Sequence, residues 1–195
     1  ANALLEYASE LDGGKSADDF AFKRNEREFY NLQLTEQLNG HFGDTIVRHF
    51  LFSVYSFLFY SKLSNSTDET LAAIAAKSLK EIKYHLTHSK SWLIRLGDGT
   101  EKSNKKIQKS LNDLWQFTGE FFEMDEIDQK MYKEGIGVNN SSLKSEWDKI
   151  VNTTFKQSNL KRPENGYMQS GSKNGIHTEH LGHLLSEMQF LPRSY

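Results

Sequence analysis

Hydrophobic residues recur along this chain at intervals of three and four, and no stretch alternates in the way a half-buried strand requires. Residues 1–11 read as a helix stopped by Gly13-Gly14. Its opening, ANALLEYASEL, has no capping residue in front, so the chain reads as beginning partway through a helix. Residues 18–38 predict one or two short helices before an Asn39-Gly40 turn. Residues 44–63 are apolar nearly all round, which predicts a central helix. Thr67 or Asp68 then caps a long amphipathic helix over 68–96, closed by Gly97-Asp98-Gly99. Thr100 caps the next, over 101–123, where Ile107, Leu111, Leu114, Trp115, Phe117, Phe121 and Phe122 recur at helical spacing. A short helix covers Glu126 to Lys133 and breaks at Gly135-Ile136-Gly137. Residues 141–157 form another amphipathic helix with Leu143, Trp147, Ile150, Val151 and Phe155 on its apolar side. A polar, Gly-rich loop fills 158–175, and the last helix runs from about His177 to Phe190. Short loops between long helices make antiparallel neighbours, so the expected fold is an all-α bundle.

Composition narrows the function more than the fold. The 195 residues suffice for one domain with a sizeable core. Basic residues (24) and acidic residues (26) are interspersed with a net charge of −2, which disfavours nucleic acid as a partner. The absence of cysteine excludes disulfides, iron–sulfur clusters and thiol catalysis, and fits a reducing cytoplasm. The longest apolar run, Phe50 to Tyr60, is too short to span a bilayer and is interrupted by Ser53 and Ser56, so no membrane partner is expected. Thirteen phenylalanines imply a large core, or a core plus a partner surface.

Glu81 sits in the middle of the 68–96 helix. Carboxylate-bridged di-iron bundles place Glu-x-x-His on such a helix, because residues i and i+3 share a face and can hold one metal together. Here the residue at i+3 is Tyr84, and His85 arrives one position late, about 100° further round the helix. The preceding helix has no acid after Asp44. Glu81, His85 and His88 share a face with Trp92 and form either a metal or proton-relay cluster or a polar seam against another helix or subunit. Arg48 and His49 are the nearest polar groups the neighbouring helix offers. His177, His180 and His183 are spaced by three and read either as zinc ligands or as caps and interface donors; no H-E-x-x-H or H-x-x-E-H pattern accompanies them. Lys102, Lys105, Lys106 and Lys109 make a basic stripe that would suit a phosphate or simply be a solvated face.

Four blocks carry a family resemblance: EREFYNLQLTEQLNGHFGDTIVRHF (26–50), AAIAAKSLKEIKYHLTHSKSWLIRLGDGTEKS (72–103), LWQFTGEFFE (114–123) and HTEHLGHLLSEMQFL (177–191). In order and content they resemble the PaaC-type subunits of bacterial phenylacetyl-CoA 1,2-epoxidases, also called phenylacetyl-CoA oxygenases. The resemblance implies a ferritin-like helical bundle whose N-terminal helix and part of the second are missing from this chain. It implies a non-catalytic, structural subunit without a cofactor of its own, partnered by a catalytic subunit that holds the di-iron centre. A reductase and small accessory subunits complete such complexes. On this reading Glu81, Tyr84 and His85 are a degenerate di-iron position, and no residue is assigned to catalysis, cofactor or metal. His85, His88, Trp92, His177, His180 and Met188 are the candidate contact residues. The alternatives are a self-sufficient ferritin-like metalloprotein, with metal at Glu81, His85 and the terminal histidines, and a helical adaptor unrelated to oxygenases.

Overall fold

The computed structural model describes residues 1–194, and every regular element among them is helical. In chain order the α-helices are α1 (Asn2–Asp12), α2 (Gln33–Glu36), α3 (Phe42–Leu63), α4 (Glu69–Gly97), α5 (Glu101–Trp115), α6 (Glu126–Lys133), α7 (Lys144–Gln157) and α8 (Glu179–Met188). The chain divides into two compact units: residues 39–169, and residues 1–38 together with 170–194. Among the described residues no helix is long and apolar enough to cross a membrane.

The larger unit is built round α3. Ile46, Val47, Phe50, Leu51, Val54 and Leu58 are all buried, and these positions spread over more than one face of the helix. A helix apolar on several sides must be covered on several sides, and α4, α5 and α7 all pack on it. Its start is fixed by a reciprocal cap. The Asp44 amide donates to His41 Nδ1 (3.2 Å) while the Asp44 carboxylate accepts from the His41 amide (2.9 Å). The α4 and α5 caps are those expected. Asp68 accepts from the Leu71 amide at 2.9 Å, and Thr100 accepts from the Ser103 amide at 3.2 Å. At the α4–α5 corner a Cβ on Gly97 would lie 2.3 Å from the Ser158 carbonyl oxygen, so only glycine lets the chain after α7 approach this closely. The Asn104 amide then bridges that approach, donating to the carbonyls of Gly97 (2.7 Å) and Asn159 (3.2 Å).

One predicted helix is shorter than expected. α5 stops at Trp115 instead of continuing to 123, and residues Gly119–Phe122 form a separate 3-10 turn. The cause is geometric. Trp115, Phe117 and Phe121 are all buried, yet in a continuous helix Phe117 would point about 200° away from Trp115. Breaking the helix lets all three turn inward. Around Trp147 the rings crowd together: its centre lies 5.7 Å from Trp115, 5.9 Å from Phe121 and 5.5 Å from Phe122. Phe121 also stacks on Tyr55 of α3 at 4.9 Å, and burial pushes the Tyr55 phenol well above its ordinary value. The Trp147 indole N–H donates to the Leu51 carbonyl at 3.2 Å, so one side chain both packs and satisfies its polar atom.

In the smaller unit α1 ends at Gly13, whose φ of 71° is the left-handed C-cap the sequence predicts. Residues 18–38 hold a π-type turn (Asp19–Lys23), a 3-10 turn (Glu26–Glu28) and the short α2. The second segment is drawn against the first at Gly175, where a Cβ would sit 2.3 Å from the Arg27 carbonyl oxygen. The Gln33 side chain donates to the Ile176 carbonyl (3.1 Å), and Gln189 donates to the Arg24 carbonyl (2.7 Å).

Two outcomes follow for the larger unit. Trp147→Ala should lower stability by about 3–5 kcal/mol in denaturant unfolding, whereas Trp147→Phe should cost markedly less because most of the packing survives. Asp148 accepts from Arg162 (2.7 Å) and Lys144 (3.0 Å). Burial pushes its carboxyl up, but those two hydrogen bonds and charges outweigh it and hold the group below the usual carboxylate range. A depressed folded value stabilises above the ordinary value of 3.8 and is lost as pH falls through the folded one. Unfolding measured as a function of pH should therefore show a shallower acid decline for Asp148→Asn than for the wild type.

Candidate functional site

α4 has two contrasting faces. Ala75 and Leu93 are buried, and Leu71, Leu79, Ile82 and Leu86 on the same side are half-buried. Rotated away from them, Glu81, Tyr84, His85 and His88 are exposed and Trp92 is half-buried. The Tyr84 ring, 66% exposed, packs against His88 (centroids 6.0 Å apart) and His85 (5.9 Å). α3 adds two residues to this surface. His49 meets His85 edge-on at 6.3 Å, and Phe42 meets Trp92 edge-on at 5.2 Å. The Arg95 guanidinium lies over the Trp92 ring at 5.6 Å. Burial holds the His49 imidazole below its ordinary value, and the positive charges of Arg48, His85 and His88 act in the same direction.

A di-iron centre would need carboxylates and imidazoles from several helices aimed at the bundle interior. The residues here do not fit that group. The side of α4 that turns inward is hydrocarbon apart from Ser89, Glu81 is on the outside, and the buried positions of α3 are apolar or serine. Among the described residues no three His, Asp or Glu side chains lie close enough together to hold a metal ion.

The terminal histidines separate. α8 begins at Glu179, so His177 precedes the helix and does not share a helical face with His180 and His183. His177 is the exception among the candidate contact residues because its side chain is only 1% exposed. Its Nδ1 lies 2.7 Å from Glu36 Oε1, and its Nε2 donates to the Phe29 carbonyl at 2.8 Å. Glu36 also has a fully buried side chain, and it accepts from Asn31 Nδ2 (2.9 Å), the Thr178 amide (2.8 Å) and the Thr178 hydroxyl (2.7 Å). Sequence reasoning missed Glu36; its one signal was an acid set among apolar neighbours in LQLTEQL. His180 is half-buried, and His183 and Met188 are exposed on α8.

The lysine stripe of α5 is exposed and partly neutralised along its own helix. Lys105 pairs with Glu101 and Lys109 with Asp113, both at i,i+4 spacing. Lys106 is different, because it borders a small pocket of about 160 Å³ with Phe42, Leu96 and Ile107.

Comparison with known proteins gives two matches. A family model described as phenylacetic acid catabolic protein matches residues 1–195. The chain is 45% identical over 193 residues to the C-type subunit of the 1,2-phenylacetyl-CoA epoxidase of Escherichia coli strain K12, covering 99% of this chain and 78% of that protein.

The Glu36–His177 pair offers a direct measurement. Breaking a buried pair on one side strands the other partner, so Glu36→Gln or His177→Gln alone should cost about 3–5 kcal/mol. The double variant should cost less than the sum, and a thermodynamic cycle by chemical unfolding should return a coupling of about 0.5–3 kcal/mol.

Proposed function

This chain belongs to the family of phenylacetic acid catabolic proteins, and from that premise we propose that it is the structural, metal-free subunit of a phenylacetyl-CoA epoxidase. In this role it takes part in phenylacetate catabolism by stabilising a catalytic subunit that holds the di-iron centre. A reductase supplies that subunit with electrons, small accessory subunits complete the complex, and the assembly works in the cytoplasm. The chain itself contributes no reacting group.

The observation that carries this reading is the orientation of α4. In a di-iron bundle the Glu-x-x-His face must point at the bundle axis. Here Glu81, Tyr84 and His85 point to solvent, while Ala75, Ile82, Leu86 and Leu93 fill the axis side. Introducing iron ligands there would mean burying carboxylates in a closed apolar core, which is expensive without metal or partner charge. An exposed row of aromatic and imidazole groups on the same helix instead suits contact with another protein. The similarity to an epoxidase subunit supports the choice of complex.

Elemental analysis tests the metal-free role. The chain purified alone should carry far less than one iron, and iron in the assembled complex should track the catalytic subunit. Two irons per isolated chain would overturn the proposal. Glu81→Ala should leave turnover unchanged at equal concentrations of assembled complex, since Glu81 is exposed; a collapse of turnover in a fully assembled complex would assign it a catalytic part.

A further inference from the structure

We propose that the start of α3, the C-terminal half of α4 and the first turns of α5 form a docking face for an amphipathic, acidic helix of the catalytic partner subunit. This rests on the reading of the chain as a subunit of an oxygenase, and it specifies where and by what chemistry the partner is held.

The face is continuous. Phe42, 52% exposed, touches Trp92 on one side and lines the pocket of about 160 Å³ on the other. That pocket has an apolar wall of Phe42, Leu96 and Ile107 with Lys106 at its edge, and it is large enough for one aliphatic or aromatic anchor side chain. From Tyr84 to Leu96 the face runs for about 18 Å at 1.5 Å per residue, which matches three turns of a partner helix. Trp, Tyr and Arg are the residue types that carry most of the energy at protein interfaces; here Arg95 lies over Trp92, and Tyr84 stands about two turns earlier on the same helix.

Charge selects the occupant. Arg95 and Lys106 have no ion-pair partner among the described residues. The carboxylates on these elements are engaged or remote: Asp44 caps α3, Glu101 pairs with Lys105, Asp98 accepts from the Asn159 side chain, and Glu81 stands at the far end of the face. A second copy of this chain is a poor occupant, because a two-fold contact would set this positive face against itself. A metal is a poor occupant, because no three suitable ligands converge among the described residues. A helix presenting an apolar anchor flanked by Asp or Glu satisfies both the pocket and the charges.

The experiment measures binding of the full chain to its catalytic subunit by biolayer interferometry at low and moderate salt. The variant Arg95→Glu with Lys106→Glu changes only surface charge, and circular dichroism checks its fold. Affinity should fall about tenfold or more, as should that of Trp92→Ala. Wild-type affinity should weaken with salt. The matched reversal Lys130→Glu with Lys133→Glu, exposed on α6 and outside the face, should leave affinity unchanged. Wild-type binding that is indifferent to Arg95, Lys106 and Trp92 would overturn the docking face and leave the subunit reading intact. No wild-type binding at all would overturn both. Self-association in analytical ultracentrifugation that Trp92→Ala abolishes, with partner binding unaffected, would assign the face to a second copy and refute the proposal.

Discussion

A helix with hydrocarbon on several sides cannot rest on a single neighbour, and in the larger unit that constraint comes from α3. Its buried residues demand cover from α4 along its length and from α5 and α7 as well. The cover is close-fitting. Trp147 reaches across to bond the Leu51 carbonyl, and Phe155 of α7 meets Phe50 with ring centres 6.3 Å apart. The aromatic cluster around Trp147 exists because α5 gives up its last two turns to supply it. Dispersion and apolar burial across these contacts are individually small and collectively dominant.

The same constraint explains why the buried positions of α3 and α4 are apolar residues and serines and include no carboxylate. Each inward position of α3 and α4 is spent on packing, so a buried carboxylate would displace hydrocarbon and carry its own desolvation cost. What α4 does not turn inward it shows outward. Glu81, His85 and His88 are left on the surface as a consequence of which stripe of the helix α3 requires. An outward row of imidazoles and aromatics, with guanidinium and ammonium groups beside it, is poor chemistry for holding iron. It is good chemistry for holding another chain.

The smaller unit solves a different problem. Its elements are short, and Leu181 and Leu185 are the buried apolar residues of α8. A polar knot does the joining instead: one carboxylate takes hydrogen bonds from Asn31, Thr178 and the His177 side of the pair, while His177 also reaches the Phe29 carbonyl. Full satisfaction makes such a knot specific. The same completeness makes losing one member costly, because the others are buried with it.

Much of the fold was legible in the sequence because helices are governed by local rules. Periodicity located α3, α4, α6 and α7 to within a few residues, and Asp68, Thr100 and Gly13 capped where their chemistry says they should. The displacement of His85 from the metal-binding position could be read by counting, since it is a property of one helix. Contacts between elements could not be read this way. Phe117 fits a helical stripe on paper, and only the crowd around Trp147 shows why α5 ends before it. His177 looks like its neighbours His180 and His183 until Glu36, 141 residues away, takes it out of the series. Phe42, His49 and Lys106 join the α4 surface only because three helices meet there. Backbone period and capping act over three or four residues and so are written in the local sequence. Which side chains meet across helices depends on how those helices cross, and that is settled only when the whole core packs.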